Sequence, residues 1–263
     1  MDIWNSQFRP FSNIHLPAGS VFRVTDPLAP LLNLPGVTDA VAAARDAVFQ
    51  VHRHRVNLRG WATTAAEASV RAARASAALD GGPTRIPEDG AVVDPVLAGS
   101  LRVAEALGVV LPTWQRAPLQ ALARLHVLAG ADLGGELGRP RLAPGVSERL
   151  DLLAGLVTGG TRVPGPLLVA VVHGELMALS PFGTANGVVA RAASRLASIA
   201  SGLDPKSLGV PEVHCLRKQT EYDAALHDFS TGDPEGVARW VLFWCAALEA
   251  GAREARGIAD ATS

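Results

Sequence analysis

Lysine is nearly missing from this chain: only Lys206 and Lys218 occur, and arginine supplies the rest of 24 basic residues. We read that as coding-sequence bias rather than function. Aromatics make up 5 % of the residues, so a core must be built mostly from Ala, Leu and Val, which favours closely packed helices over a β-sandwich. There are two cysteines, Cys215 and Cys245, with no C-x-x-C partner, which argues against a disulfide framework or zinc knuckle. The first residues, Met-Asp-Ile-Trp-Asn-Ser, lack the basic and apolar stretches of a signal peptide. The apolar run Leu167 to Val172 is far too short to span a bilayer. Net charge is −1, so no broad attraction to nucleic acid or anionic membrane follows. No Walker A sequence, G-x-G-x-x-G or H-E-x-x-H is present. The expectation is a soluble cytoplasmic protein with no nucleic-acid or membrane partner.

What the chain does have is apolar content, 48 % of its 263 residues, enough for a sizeable core. Its periodicity predicts an all-α protein. Residues 1–35 read as an extended lead-in. Helices are expected at 38–57, with Thr38 or Asp39 as N-cap, and at 63–79, ending at Asp80-Gly81-Gly82-Pro83. Further helices are expected at 95–107, 115–131, 147–156, 167–179, 187–202, 218–228 and 234–254. Asp233-Pro234 is a good start for the last one. Gly134 to Pro144 reads as a loop or a clipped hairpin. The division is N-terminal helices at 36–93, a core at 94–255 and a flexible tail at 256–263.

The segment Ser180 to Arg191, S-P-F-G-T-A-N-G-V-V-A-R, places a turn and small residues before an alanine-rich helix. The first N–H groups of a helix lack partners and its dipole is positive there, so such a start attracts anions. Arg191 is close enough on that helix to reach one. The plainer reading is an ordinary helix start with a solvated arginine. His52-Arg53-His54-Arg55 is expected as a solvated basic helix end, since positions two apart share no helix face for metal ligation. His214-Cys215 reads as a connection and not a metal site. Trp240 and Trp244, four apart, read as core.

The same segment resembles the Fic (fido) motif H-P-F-x-[DE]-G-N-G-R-x-x-R. Pro181, Phe182, Asn186, Gly187 and Arg191 match; Ser180, Thr184, Ala185 and Val188 depart from the motif's His, acidic residue, first Gly and first Arg. His173 lies seven before Ser180, as a His does in the family. Arg217, Tyr222, Asp233 and Trp240 resemble its downstream elements with looser spacing. Ser76-Ala77-Ala78-Leu79-Asp80-Gly81 is similar to the inhibitory helix segment [ST]-x-x-x-E-[GN] found in one class of these proteins. The resemblance implies a fido-type helical domain with an N-terminal helical extension, the inhibitory-like segment at 76–81, and at most a small reduced β-hairpin flap. It also implies an anion or nucleotide cradle at Thr184, Ala185, Asn186, Gly187, Arg191 and Tyr222.

In the family the motif His accepts a proton as AMP passes from ATP to a protein hydroxyl. A serine hydroxyl is no base near neutral pH, and losing a general base costs about 10²–10⁴-fold in rate. Thr184 offers a poor sole ligand for Mg²⁺, and Val188 cannot neutralise phosphate. A helical spacing of seven puts His173 about 10 Å from Ser180, beyond proton-transfer reach. Pro140 and Pro144 remove donors that a strand-adding flap would use. No catalytic residue and no metal site is therefore assigned. The leading expectation is a degenerate Fic-like protein, unable to transfer AMP, that binds a nucleotide such as ATP, another anion or a partner protein. Two alternatives stand beside it: a nucleotidyl- or phosphoryl-transferase with a different base, and a structural protein with a filled pocket. The resemblance also admits a homodimer. Ser76, Asp80 and Arg191 read either as a regulatory latch or as a relic salt bridge.

Overall fold

The most apolar helix lies at the centre because every face of it is covered. In a computed structural model of the chain, which describes residues 26–262, this helix runs Gly165–Leu179, and eleven of its residues are buried. A helix that is apolar all round belongs inside a core, which decides the strand-or-helix ambiguity of Leu167–Val172. In chain order the α-helices are α1 (Val37–His52), α2 (Arg55–Arg59), α3 (Trp61–Leu79), α4 (Pro95–Arg116), α5 (Pro118–Gly130) and α6 (Val146–Gly155). There follow α7 (Gly165–Leu179), α8 (Asn186–Ala200), α9 (Pro211–Arg217), α10 (Gln219–Ser230) and α11 (Pro234–Ala261). The described residues contain no strand, so Gly134 to Pro144 is an irregular loop rather than a hairpin.

Helix α7 packs against α8, α10 and α11, while α11 also lies along α1 and α9. The aromatics that the composition rations are concentrated here: Tyr222, Phe229, Trp240, Phe243 and Trp244 form one cluster around His173. Trp240 and Trp244 are core residues, as their spacing predicts. Trp240 donates its indole N–H to the Ala170 carbonyl, 2.8 Å away. Gly174 makes room for this, since a Cβ there would lie 2.6 Å from Trp240 Nε1.

Several boundaries differ from the sequence reading, each for a local reason. Within the lead-in, residues 1–25 lie outside the described residues, and Ala29–Asn33 forms a short 3₁₀ turn. Helix α1 starts after Gly36, at φ 74°, and not at Thr38 or Asp39; Thr38 instead donates its hydroxyl to Leu32 O. Helix α4 runs past the expected end at 107 to Arg116. Pro112 and Gly108 lie on its exposed face, while Val110 and Trp114 bury the opposite one. By length and composition alone α4 is apolar enough to cross a membrane; here it packs against α3, α5 and α8. Helix α9 fills what read as a connection around His214-Cys215. The expected tail is absent as such, because α11 continues to Ala261 with Ala255, Ile258 and Ala259 buried.

The His52–Arg55 stretch is also not simply solvated. His52 Nε2 lies 2.9 Å from Asp204 Oδ1, and His54 lies 3.1 Å from Asp260. Burial pushes the Asp204 carboxyl up, but His52 and the Gly209 and Leu208 N–H groups outweigh it and hold the carboxyl below its ordinary range.

Close helix contact at α4–α5 depends on Gly99, where a Cβ would stand 2.1 Å from the Ala129 carbonyl oxygen. Gly99→Ala is expected to destabilise the fold by about 1–3 kcal/mol in urea unfolding, through overpacking against rigid backbone. Gly108→Ala, in open space on the same helix, is the matched control and should gain up to about 1 kcal/mol.

Candidate functional site

The turn between α7 and α8 is held by side chains that satisfy its backbone. Asn186 closes it on itself: Oδ1 accepts from Phe182 N at 2.9 Å, and Nδ2 donates to Phe182 O at 2.8 Å. Arg141 fastens it from outside. Its backbone N–H donates to Pro181 O, and its guanidinium donates to Ser180 O and Leu179 O at the negative end of α7. Below the turn, Phe182 stacks on His126 with ring centres 4.1 Å apart. Two residues of this turn take left-handed backbone without being glycine: Ser180 at φ 44° and Ala185 at φ 53°. The motif that this turn resembles has Gly at the position of Ala185.

None of Ser180, Thr184 and Val188 offers the chemistry that the resembled motif has at its position. Ser180 is exposed and donates its hydroxyl to Met177 O at 2.9 Å. Thr184 Oγ1 lies 3.4 Å from His126 Nε2. Because His126 Nδ1 accepts from Gly138 N, the neutral ring carries its hydrogen on Nε2, toward Thr184. Burial lowers the His126 pKa, with a hydrogen bond to the Thr184 backbone working the other way. Val188 turns its side chain into the core, 4 % exposed. Among the described residues no group of three or more His, Cys, Asp or Glu could hold a metal ion.

The positive start of α8 is nevertheless used, and its anion comes from the chain itself. Asp80, at the end of α3, accepts from the Val188 N–H at 3.1 Å through Oδ2. Through Oδ1 it pairs with Arg191 Nη2 at 2.5 Å. Its carboxylate lies so close to Gly187 that a Cβ there would fall 2.2 Å from Oδ1. Arg191 is 2 % exposed and also donates from Nε to Ser76 Oγ at 2.8 Å and from Nη2 to Ser76 O at 2.9 Å. Burial works against its charge, and Asp80 and Tyr222 hold it protonated. The structure therefore brings Ser76, Asp80, Gly187 and Arg191 into one cluster. A cavity of about 20 Å³ reaches Arg191 beside Ser100 and Glu212, room for one water.

Tyr222 adjoins Arg191. It is buried, and its hydroxyl is 2.8 Å from His173 Nε2. Burial pushes the Tyr222 hydroxyl pKa up. It also drives His173 well below its ordinary range, with the Arg191 charge adding to the effect. His173 is thus a neutral core histidine engaged with Tyr222. Sequence reasoning missed His126 and Arg141, because neither stands near the motif in the chain. Their signals were weak: a lone His in an apolar helix, and one Arg in a Gly/Pro loop.

No protein-family model matches the sequence, and no curated protein matches it. Solved structures do. The fold is similar to Fic-1 from C. elegans at 19 % identity, with a TM-score of 0.71, over 89 % of this chain and 76 % of that one. It is similar to a Fic family protein from Desulfovibrio desulfuricans G20 at 19 % identity, with a TM-score of 0.63, over 92 % and 77 %. A Fic domain containing signaling protein from Bacteroides thetaiotaomicron VPI-5482 gives 13 % identity and a TM-score of 0.52, over 84 % and 98 %. The chain has the all-α fido fold that the motif resemblance implies.

Two measurements follow from this geometry. Ala185→Gly should raise stability in urea unfolding by about 0.5–1 kcal/mol. It relieves the left-handed alanine, and the looser unfolded chain returns part of the gain. Acidification should act through the buried histidines. A group whose folded pKa is depressed has no effect on stability at high pH. Below the unfolded value near 6.5 the unfolded chain takes up a proton that the folded one refuses. Stability should therefore fall from pH 7.5 to pH 5.5, by about 1.4 kcal/mol for His173 alone, with His126 acting in the same direction. Urea midpoints at the two pH values check this.

Proposed function

We propose that this chain is a Fic-like protein that does not carry out His-dependent AMP transfer. It acts as a cytoplasmic regulatory or binding module whose anion cradle is closed by its own Asp80. The observation that carries this reading is the position of the Asp80 carboxylate, on the α8 N-terminus and on Arg191 at once. A phosphate of a nucleotide would need the same N–H groups and the same guanidinium. Asp80 is in effect an internal competitor, and ATP or another anion binds to the extent that it displaces that side chain. Loss of transfer chemistry rests on Ser180, Thr184 and Val188, which supply no base, no carboxylate for Mg²⁺ and no second cation. A protein partner is the natural output, since opening the latch moves the end of α3 relative to α8.

One observation favours a second reading, a structural protein with a filled pocket: the cavity at Arg191 holds no more than a water. The transferase alternative is disfavoured, since His173 is fully buried and engaged with Tyr222.

Removing Asp80 separates the readings. Asp80→Ala leaves a buried guanidinium without its carboxylate and should cost about 3–5 kcal/mol. If the cradle accepts nucleotide, ATP should raise the melting temperature of Asp80→Ala far more than that of the parent protein, and Arg191→Ala should abolish the rise. Equal, absent shifts in both proteins would establish the pair as structural only. Transfer of label from ATP to a protein hydroxyl, lost in Arg191→Ala, would refute the non-transferase reading.

A further inference from the structure

A second basic feature, with no residue in common with the Asp80–Arg191 cluster, lies where α3, α9 and α11 meet. A concavity of about 470 Å³ is lined there by Arg71, His214, Arg217, Arg253, Glu254 and Gly257. That volume falls in the range of about 300–1,000 Å³ common to small-molecule sites. Ala250, Arg253, Glu254 and Gly257 share one face of α11 through their three- and four-residue spacing. The small residues leave space between the charged ones: a Cβ on Gly257 would meet nothing within 4 Å.

Three guanidinium groups face one carboxylate in this concavity. Glu254 braces two of them, with Oε1 2.7 Å from Arg71 Nη1 and Oε2 3.5 Å from Arg217 Nη1. Arg71 is held from its other side by Glu67 at 2.7 Å. Each guanidinium has five N–H donors, so both braced arginines keep donors free for a ligand. The Arg253 side chain is exposed and makes no hydrogen bond or ion pair with another described residue. His214 completes the wall and packs against Phe243. Burial lowers its pKa, as do Arg253, Lys218 and Arg217, with Glu221 opposing them. A bound dianion would reverse the contribution of those cations and favour the protonated ring.

We propose that this concavity is a binding site for a phosphoryl anion of diphosphate size. The planar forks of arginine suit phosphoryl oxygens, and the Glu254 brace fixes two of them before the ligand arrives. The His214 ring adds a donor whose proton affinity rises as the ligand binds.

Calorimetry of the full chain with inorganic pyrophosphate tests this. Saturable binding is expected at about 50 mM salt and should weaken as salt rises. Arg217→Ala and Arg253→Ala, both at exposed positions, should each weaken it about tenfold, and the double variant should remove it. Arg45→Ala, at an exposed arginine of α1, should leave it unchanged, and loss of binding in the double variant, which keeps Arg191, separates this site from the α8 cradle. The His214 ring resonances, assigned with His214→Gln, should titrate at higher pH when pyrophosphate is present. Competition by ADP, set against sedimentation with phosphoinositide vesicles, distinguishes a soluble ester from a headgroup. No saturable heat, heat retained in the double variant, heat lost in Arg45→Ala, or an unmoved His214 titration would each overturn the proposal.

Discussion

A buried guanidinium needs a carboxylate, and the start of a helix needs an acceptor; in this protein one aspartate answers both. Arg191 is almost wholly removed from water, and leaving it unpaired there is costly. The first turn of α8 likewise presents an N–H, that of Val188, with no partner inside its helix. Asp80 reaches both because α3 ends where it does, on α8. The smallness of residue 187 depends on that contact, since a Cβ there would meet the Asp80 carboxylate.

The rest of the architecture makes the contact rigid. Helix α7, enclosed on all sides, fixes where the turn begins, and Arg141 and Asn186 fix its course. Behind Arg191, Tyr222 and His173 link the ion pair to the tryptophans of α11. A second buried pair, Arg195 with Glu212 at 2.8 Å, binds α8 to α9 in the same manner. Polar groups in this core thus occur as connected sets. Removing one partner leaves the other stranded, which makes the cluster sensitive to single substitutions.

The positions where the turn departs from the motif and those where it matches have different weight in the fold. Ser180, Thr184 and Val188 carry no imidazole, carboxylate or guanidinium, and the fold accommodates each of them. The hydroxyl of Ser180 caps its own helix and Val188 joins the core. Replacing Arg191 would unpair Asp80 and Ser76 as well. The fold therefore depends little on the side chains of the first set and strongly on Arg191.

The sequence by itself determined the helical class, because apolar spacing and few aromatics leave helices as the way to fill the core. It determined the turn at 180–187 and the chemistry missing from it, since those are properties of residue types. It also named Ser76, Asp80 and Arg191, through their likeness to a motif. The tertiary structure decided that these three touch, because more than a hundred residues separate Asp80 from Arg191 and no local rule links them. It placed His126 under Phe182 and Arg141 on the end of α7, and it carried α4 past Pro112. In each case packing against a distant helix outweighed the local signal. It turned His52 and His54 from a solvated end into partners of Asp204 and Asp260, since only the folded chain brings those carboxylates near.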